Sequence, residues 1–388
     1  MPIINRAAGM LEEVAAWRRD FHENPEVLYE VHRTAGIVAD KLKAFGCDEV
    51  VPGIGRTGVV AVIKGRSSAS GKVIGLRADM DALPIQETSG VPHASKIPGK
   101  MHACGHDGHT AMLLGAARYL CETRNFDGTV VLIFQPAEEG GAGGLAMVRD
   151  GMMDRWGIQE VYGLHNQPGT PVGHFALRPG PLLAATDGID ITIEGYGAHA
   201  SRPHLSVDPV SVGCQLHAAF QTIVARNVDP LRSAVVSITM FQAGEAVNVI
   251  PQTARIRGTV RTLEAKVRDL VEKRVAEICT GIGAAYGAKV KLDYRRGYPV
   301  TSNHPEQTAF AAKVARDVAG PAGVDDDMRP VMGGEDFSYM LEARPGAFIF
   351  MGIGDAAGLH RPDYDFNDAA IPAGISYWGR LVEMAMPA

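Results

Sequence analysis

No stretch of the 388-residue sequence stays apolar for the roughly 18 residues that a membrane-spanning helix needs. The first stretch, MPIINRAAGMLEEVAAWRRD, carries charges where a secretory leader would have to be apolar. There is no basic block or arginine-rich stripe, and the formal net charge is -6, so electrostatics make no case for nucleic acid. The five cysteines (Cys47, Cys104, Cys121, Cys214 and Cys279) are odd in number and scattered, which argues against a disulfide framework. Internal repeats and low-complexity segments are missing too. These absences lead to the expectation of a cytoplasmic protein in a reduced environment, with no nucleic-acid or membrane partner.

What is present is an ordinary globular composition, 46% apolar and 21% charged, in a chain long enough for two domains. The densest chemistry lies in MHACGHDGHTAMLLGAARYL, residues 101–120, where His102, Cys104, His106, Asp107 and His109 precede an apolar helical run. Imidazole and thiolate suit borderline-soft divalent metals, and Cys-x-His lets both side chains reach one point from a tight bend.

Elsewhere, polar groups collect where apolar strands end. The run 73–78 (VIGLRA) leads into Asp79 and Asp81, which are equally readable as turn residues before Pro84. GTVVLIF, 128–134, leads into QPAEEG with Glu138 and Glu139. Adjacent carboxylates at the end of a buried strand cost desolvation unless something such as a metal compensates, although a solvated turn also collects charge. A strand at 160–164 ends at His165, and the short strand 347–351 precedes a loop holding His360. Strands and helices alternate with these groups at strand ends, which suggests an α/β domain with a mostly parallel sheet, since ligands sit at that edge. Between these parts, strands at 189–196, 233–241, 253–262 and 288–295 and helices at 208–226 and 264–286 give the order βαββαβ of a ferredoxin-like module. The expected division is therefore a catalytic domain in two segments, 1–186 and 296–388, interrupted by an inserted domain at 187–295.

Two metals sharing a bridging ligand would need about the inventory that these strand ends offer, with one carboxylate left free as a base. The motifs CGHDGH, QPAEEG, GLHNQP, GAHASRPH, NVIP, GGEDFS and LHRPDY occur in this order, and from about Trp17 onward the chain resembles the hippurate hydrolase and aminoacylase-type amidohydrolases. That dinuclear metallopeptidase family also holds carboxypeptidase G2-like enzymes and plant auxin-conjugate hydrolases. The resemblance implies hydrolysis of the amide of an N-acyl amino acid, with two divalent ions per subunit, Mn or Zn, with Co or Ni also compatible. It implies Cys104 as bridging ligand, His106 and His165 on one ion, Glu139 and His360 on the other, and Glu138 as general base. Asp81 resembles an acid that orients a ligand, and Asp107 is open between that role on His106 and a helix cap. The inserted module would be a lid and dimerisation domain giving a homodimer, with His199 donating to the substrate carbonyl. Asn248 and Arg261 fall where the substrate carboxylate is expected; Arg261 reads equally as a surface residue, and His204 is open.

Two rival readings differ in class. A cysteine hydrolase would use Cys104 as nucleophile but would leave Glu138, Glu139, His165 and His360 idle. A non-catalytic binding protein would be expected to have lost some of these groups. A dipeptidase, an N-acetyl-diaminopimelate deacetylase and an indoleacetyl-amino-acid hydrolase share the chemistry, and the sequence does not separate them.

Overall fold

Four apolar strands lie side by side and parallel, in the order Thr129–Gln135, Val73–Asp79, Glu160–Gln167 and Gly346–Gly352. Sequences such as TVVLIFQ and GAFIFMG have almost no polar side chain to offer solvent, and both strands are buried along nearly their whole length. Burial on both faces is what a parallel sheet under helices requires. The sheet continues to eight strands by adding Gly58–Lys64 and Glu49–Ile54 on one side and Phe175–Ala176 and Val324–Asp325 on the other. Some of the added pairs are antiparallel. Glu160–Gln167 runs past the expected end at 164, because His165 and Asn166 still pair with Phe350 and Met351.

The helix His106–Thr123 is buried through most of its length, so it is apolar around most of its circumference. The helices Leu11–Glu23, His32–Phe45 and Ile371–Ala385 surround it. Gly108 and Gly115 let Phe366 and Ile375 press against its backbone, since a Cβ at either position would meet those side chains at 2.5 Å.

The structure describes residues 3–388 in this computed structural model and separates two compact units. The larger holds the eight-stranded sheet, from the described N-terminal residues to Gly180, with 302–329 and 336–388. The smaller consists of Pro181–Thr301 and 330–335. Its limits lie outside the 187–295 expected from the sequence because backbone bonds extend it. Gly297 N–H donates to the Thr186 carbonyl (2.8 Å) and Ala184 N–H to that of Gly333 (2.8 Å).

In the smaller unit an antiparallel sheet has the order Ala234–Ala243, Thr253–Thr262, Ala185–Glu194, Lys289–Arg296. With the helices Pro209–Arg226 and Ala265–Tyr286 this is the ferredoxin-like arrangement. Strand Ala185–Glu194 (ATDGIDITIE) alternates strictly between buried and half-buried residues. Ile189, Ile191 and Ile193 enter a core with Val212, Leu216, Phe220, Val271 and Val275. Asp208 caps the first helix by accepting from the Val210 amide, and Pro209 occupies its first position. Among the described residues no helix is long and apolar enough to cross a membrane.

One ion pair is built into this unit. Arg268 donates to both Asp187 oxygens (2.5–3.1 Å), and Asp187 also accepts from the Tyr294 hydroxyl (2.9 Å). Both charged groups are buried, so Asp187→Ala strands a guanidinium away from water. The variant is expected to lose about 3–5 kcal/mol in urea unfolding followed by a probe in the smaller unit.

Candidate metal centre

Cys104 and His106 reach one point because Gly105 makes the bend between them. Its φ is 88°, and a Cβ there would collide with the Asn166 amide and the Tyr364 hydroxyl. The helix begins at His106, so His106, Asp107 and His109 form its first turn instead of preceding it. Cys104 Sγ lies 3.4 Å from His165 Nε2. His165 Nδ1 is committed to the Asn166 carbonyl (2.7 Å) and His106 Nδ1 to the Asp81 carbonyl (2.8 Å). A backbone carbonyl can only accept, so each Nδ1 carries a proton and each Nε2 is the nitrogen left to face the centre.

Across from them, Glu139 Oε1 is 3.3 Å from His360 Nε2. The ligand atoms of Cys104, His106 and His165 form one compact group, those of Cys104, Glu139 and His360 a second, and Cys104 belongs to both. Glu138 groups with His106 and Glu139. The parallel strands explain the convergence, because their C-terminal ends share one edge of the sheet and carry these residues on it or on the loops beyond. His360 stands at the rim with a 52% exposed side chain, whereas His106 is fully buried.

The donor set suits divalent cations. His106 Nε2 is buried without a hydrogen-bond partner among the described residues, and Glu139 Oε1 is buried with the His360 imidazole facing it. A buried polar atom left unpaired is costly, and coordination would satisfy His106 Nε2. Burial pushes the Cys104 thiol up, against the pull of His106. Burial also opposes protonation of His106, yet the charges of Asp79 and Cys104 hold it well above the usual imidazole range. The thiolate, imidazole and carboxylate mixture matches Zn²⁺, Mn²⁺ and their neighbours in ligand preference.

A second layer fixes these groups. The Asp81 carboxylate accepts from the backbone amides of Glu138 (2.9 Å) and Glu139 (3.1 Å), one on each oxygen. Asp79 accepts from His109 Nδ1 (2.6 Å), and His109 Nε2 accepts from the Asn166 amide (2.9 Å). His109 is thereby neutral and spent on bracing the strand that carries His165. Arg77, buried beneath, donates to Asp79 (2.7 Å), Gln135 (2.9 Å) and Asp336 (3.2 Å). Asp107 takes neither role foreseen for it. The helix starts one residue before it, and its Oδ2 bonds His22 Nδ1 (2.8 Å) and faces Arg18.

His199, Asn248, Arg261 and His204 all lie in the smaller unit, outside this cluster. His199 and Asn248 are neighbours: Val249 pairs with His199, and Ala200 N–H donates to the Asn248 carbonyl (2.9 Å). His199 Nδ1 accepts from the Ser201 amide (3.1 Å), so its proton sits on the exposed Nε2. Arg261 is not with them. It pairs with Thr186 near the far end of strand Thr253–Thr262, about 27 Å along the strand from Thr253. Its guanidinium bonds Thr259 and the Val260 carbonyl. His204 is exposed in a short 3-10 turn.

Three supporting residues escape a reading of the sequence: His22, Asp336 and Asn166. His22 has no motif around it. Asp336 and Asn166 do lie inside GGEDFS and GLHNQP, and the motifs were the available signal.

The pattern of Peptidase family M20/M25/M40 matches residues 75–384. The chain is 42% identical to the hippurate hydrolase of Campylobacter jejuni over 381 residues, 98% of each chain. It is 44% identical to the N-acetyl-L-cysteine deacetylase of Bacillus subtilis over 356 residues, 91% of this chain and 83% of that one. A crystal structure from Bacillus subtilis, described as a dinuclear metal binding peptidase from the M20 family, superposes with TM-score 0.85 at 34% identity, covering 98% of this chain and 99% of that one. The chain belongs to Peptidase family M20/M25/M40.

Removing the Asp81 carboxylate leaves two buried amides without an acceptor. Asp81→Ala is expected to cost about 2–4 kcal/mol in denaturant unfolding and to speed hydrogen exchange at the Glu138 and Glu139 amides. Unchanged exchange at both amides would show that Asp81 does not hold this loop.

Proposed function

Building on that membership, we propose that the chain is a metal-dependent amidohydrolase that cleaves the amide bond of N-acyl amino acids. The observation that carries this reading is the pair of ligand groups sharing Cys104. Cys104 would bridge two divalent ions, His106 and His165 would complete one site, and Glu139 and His360 the other. Ions held there would polarise the substrate carbonyl and make a water nucleophilic near neutral pH.

The chain's own groups do the remaining work. Glu138, buried and anchored through its amide to Asp81, takes the proton of the attacking water and passes it to the leaving nitrogen. Glu139 next to it serves as a ligand, so adjacent carboxylates separate the two tasks. Asp81 acts through Glu138 and Glu139 and is a positioning residue. His199, with its proton on the exposed Nε2, is suited to donate to the carbonyl oxygen as charge develops. Asn248 adjoins it and would take the substrate's carboxylate side. Arg261 offers the geometry that matches a carboxylate and lies near the end of the strand Thr253–Thr262 remote from Thr253, so it would serve a substrate held beside Asn248 from a second copy of the chain. A homodimer through the smaller unit follows as part of the proposal.

Hippurate-type, N-acetyl and longer acyl substrates all fit this chemistry, as do dipeptides, N-acetyl-diaminopimelate and indoleacetyl amino acids. A panel of N-acetyl, N-benzoyl and indoleacetyl amino acids with metal-reconstituted enzyme tests the class, and turnover of none of them would reject it. A cysteine hydrolase is the competing reading, favoured by the 3.4 Å approach of Cys104 to His165. Burial raises the Cys104 thiol, which disfavours a thiolate nucleophile there.

Chelation is expected to abolish turnover and added Mn²⁺ or Zn²⁺ to restore it. Activity that survives metal removal but dies on thiol alkylation would favour the cysteine reading. Glu138→Gln is expected to lower kcat by about 10²–10⁴-fold while metal content, measured by elemental analysis, stays near two ions per chain. A monomeric mass in solution with full activity would overturn the dimer.

A further inference from the structure

Cys47 and Cys121 stand 74 residues apart in the sequence, and their sulfurs lie 3.7 Å apart in the fold. Cys47 directly follows Gly46, whose left-handed conformation (φ 86°) ends the helix His32–Phe45. Its amide donates back to the Leu42 carbonyl (3.1 Å). Cys121 occupies the last turn of the helix His106–Thr123. Arg124, just past that helix, clamps the turn onto it by donating to the Asp48 carboxylate (2.8 Å) and the Gly46 carbonyl (2.8 Å). The two thiols are held side by side on both backbones, independently of the metal-centre residues.

We propose that Cys47 and Cys121 are a redox-active dithiol that a peroxide closes into a reversible intrachain disulfide. A disulfide needs the sulfurs at about 2.0 Å, so they must close from 3.7 Å, a movement on the scale of side-chain torsions. Both residues are half-buried, whereas Cys104 and Cys279 are buried and Cys214 is exposed. A small oxidant can therefore reach the pair, and the sulfenic acid it makes has its partner thiol already in place.

Either sulfur can donate in this contact, and the reaction balances the same way whichever attacks first. With Cys121 as the attacking sulfur it runs through a thiolate. Its thiolate displaces hydroxide from the peroxide as the O–O bond breaks, giving a sulfenic acid. The Cys47 sulfur then attacks that sulfur, the S–O bond breaks, and water leaves. Two thiols are oxidised by two electrons in total, and one peroxide is reduced to two waters.

The test uses the purified full-length protein, treated with hydrogen peroxide, blocked with an alkylating agent and digested without reductant. The expected product is a Cys47–Cys121 linked peptide, two hydrogens lighter than its reduced halves, that disappears with dithiothreitol. Cys47→Ser and Cys121→Ser should each abolish it, with the remaining cysteine proceeding to sulfinic acid. Recovery of both residues as alkylated thiols at a peroxide dose that oxidises Cys214 would overturn the proposal. So would separate sulfinic acids on both in the wild-type chain, a result that does not depend on either variant folding.

Discussion

The carboxylate of Asp81 has no solvent around it and two backbone amides on it, and the geometry of the metal centre depends on that arrangement. The amides belong to Glu138 and Glu139, the two residues whose side chains have to face the same point in different roles. The same residue's carbonyl accepts from His106 Nδ1. One residue thereby sets the loop after one strand and the first turn of the central helix. Burying a charge this deeply is unfavourable, and burial does push the Asp81 carboxyl up. The amide bonds and His106 offset it, and a loop that would otherwise move is fixed.

Asp79 does the same for the other side of the centre. Its contacts run through His109 to the Asn166 amide and downward to Arg77, which reaches Gln135 and Asp336. The strand ends carrying the candidate ligands are thus tied by charge-assisted bonds among buried side chains, where such bonds are strong. This also decides which histidines are available. His109 has both nitrogens engaged, whereas His106 and His165 each use only Nδ1 and keep Nε2 for the centre. Proximity in sequence is a poor guide here, because His106 and His109, three residues apart, end in different roles.

The two units divide the labour in the proposed reaction. Parallel strands give the larger unit an edge where loops converge, while in the smaller one a separate pairing of the two-residue strands Ala198–His199 and Val249–Ile250 sets His199 beside Asn248. The cysteines show a similar division. Cys104 lies in the ligand set, Cys279 in the core of the smaller unit, and Cys47 and Cys121 meet at the edge of the larger core.

Much of this was legible in the residues. Unbroken apolar runs marked the parallel strands, the order of strands and helices marked the inserted module, and metal-competent groups at strand ends pointed to the candidate centre, because each follows from local pattern and side-chain chemistry. Other features were not legible. Asp107 sits beside His106 in sequence but turns to His22, and Arg261 sits apart from Asn248 although it comes only 13 positions later. Cys47 and Cys121 read as isolated core residues until helix packing placed them together. The sequence by itself determined which elements form and which chemistries the chain can offer, since these depend on neighbours along the backbone. Which imidazole nitrogen faces inward, which carboxylate is spent on an amide and which thiols touch were decided only by the tertiary structure. For His106, Asp81 and the Cys47–Cys121 pair those partners are 25 to 74 residues away and are brought together by packing, whereas His165 is oriented by the carbonyl of its neighbour Asn166.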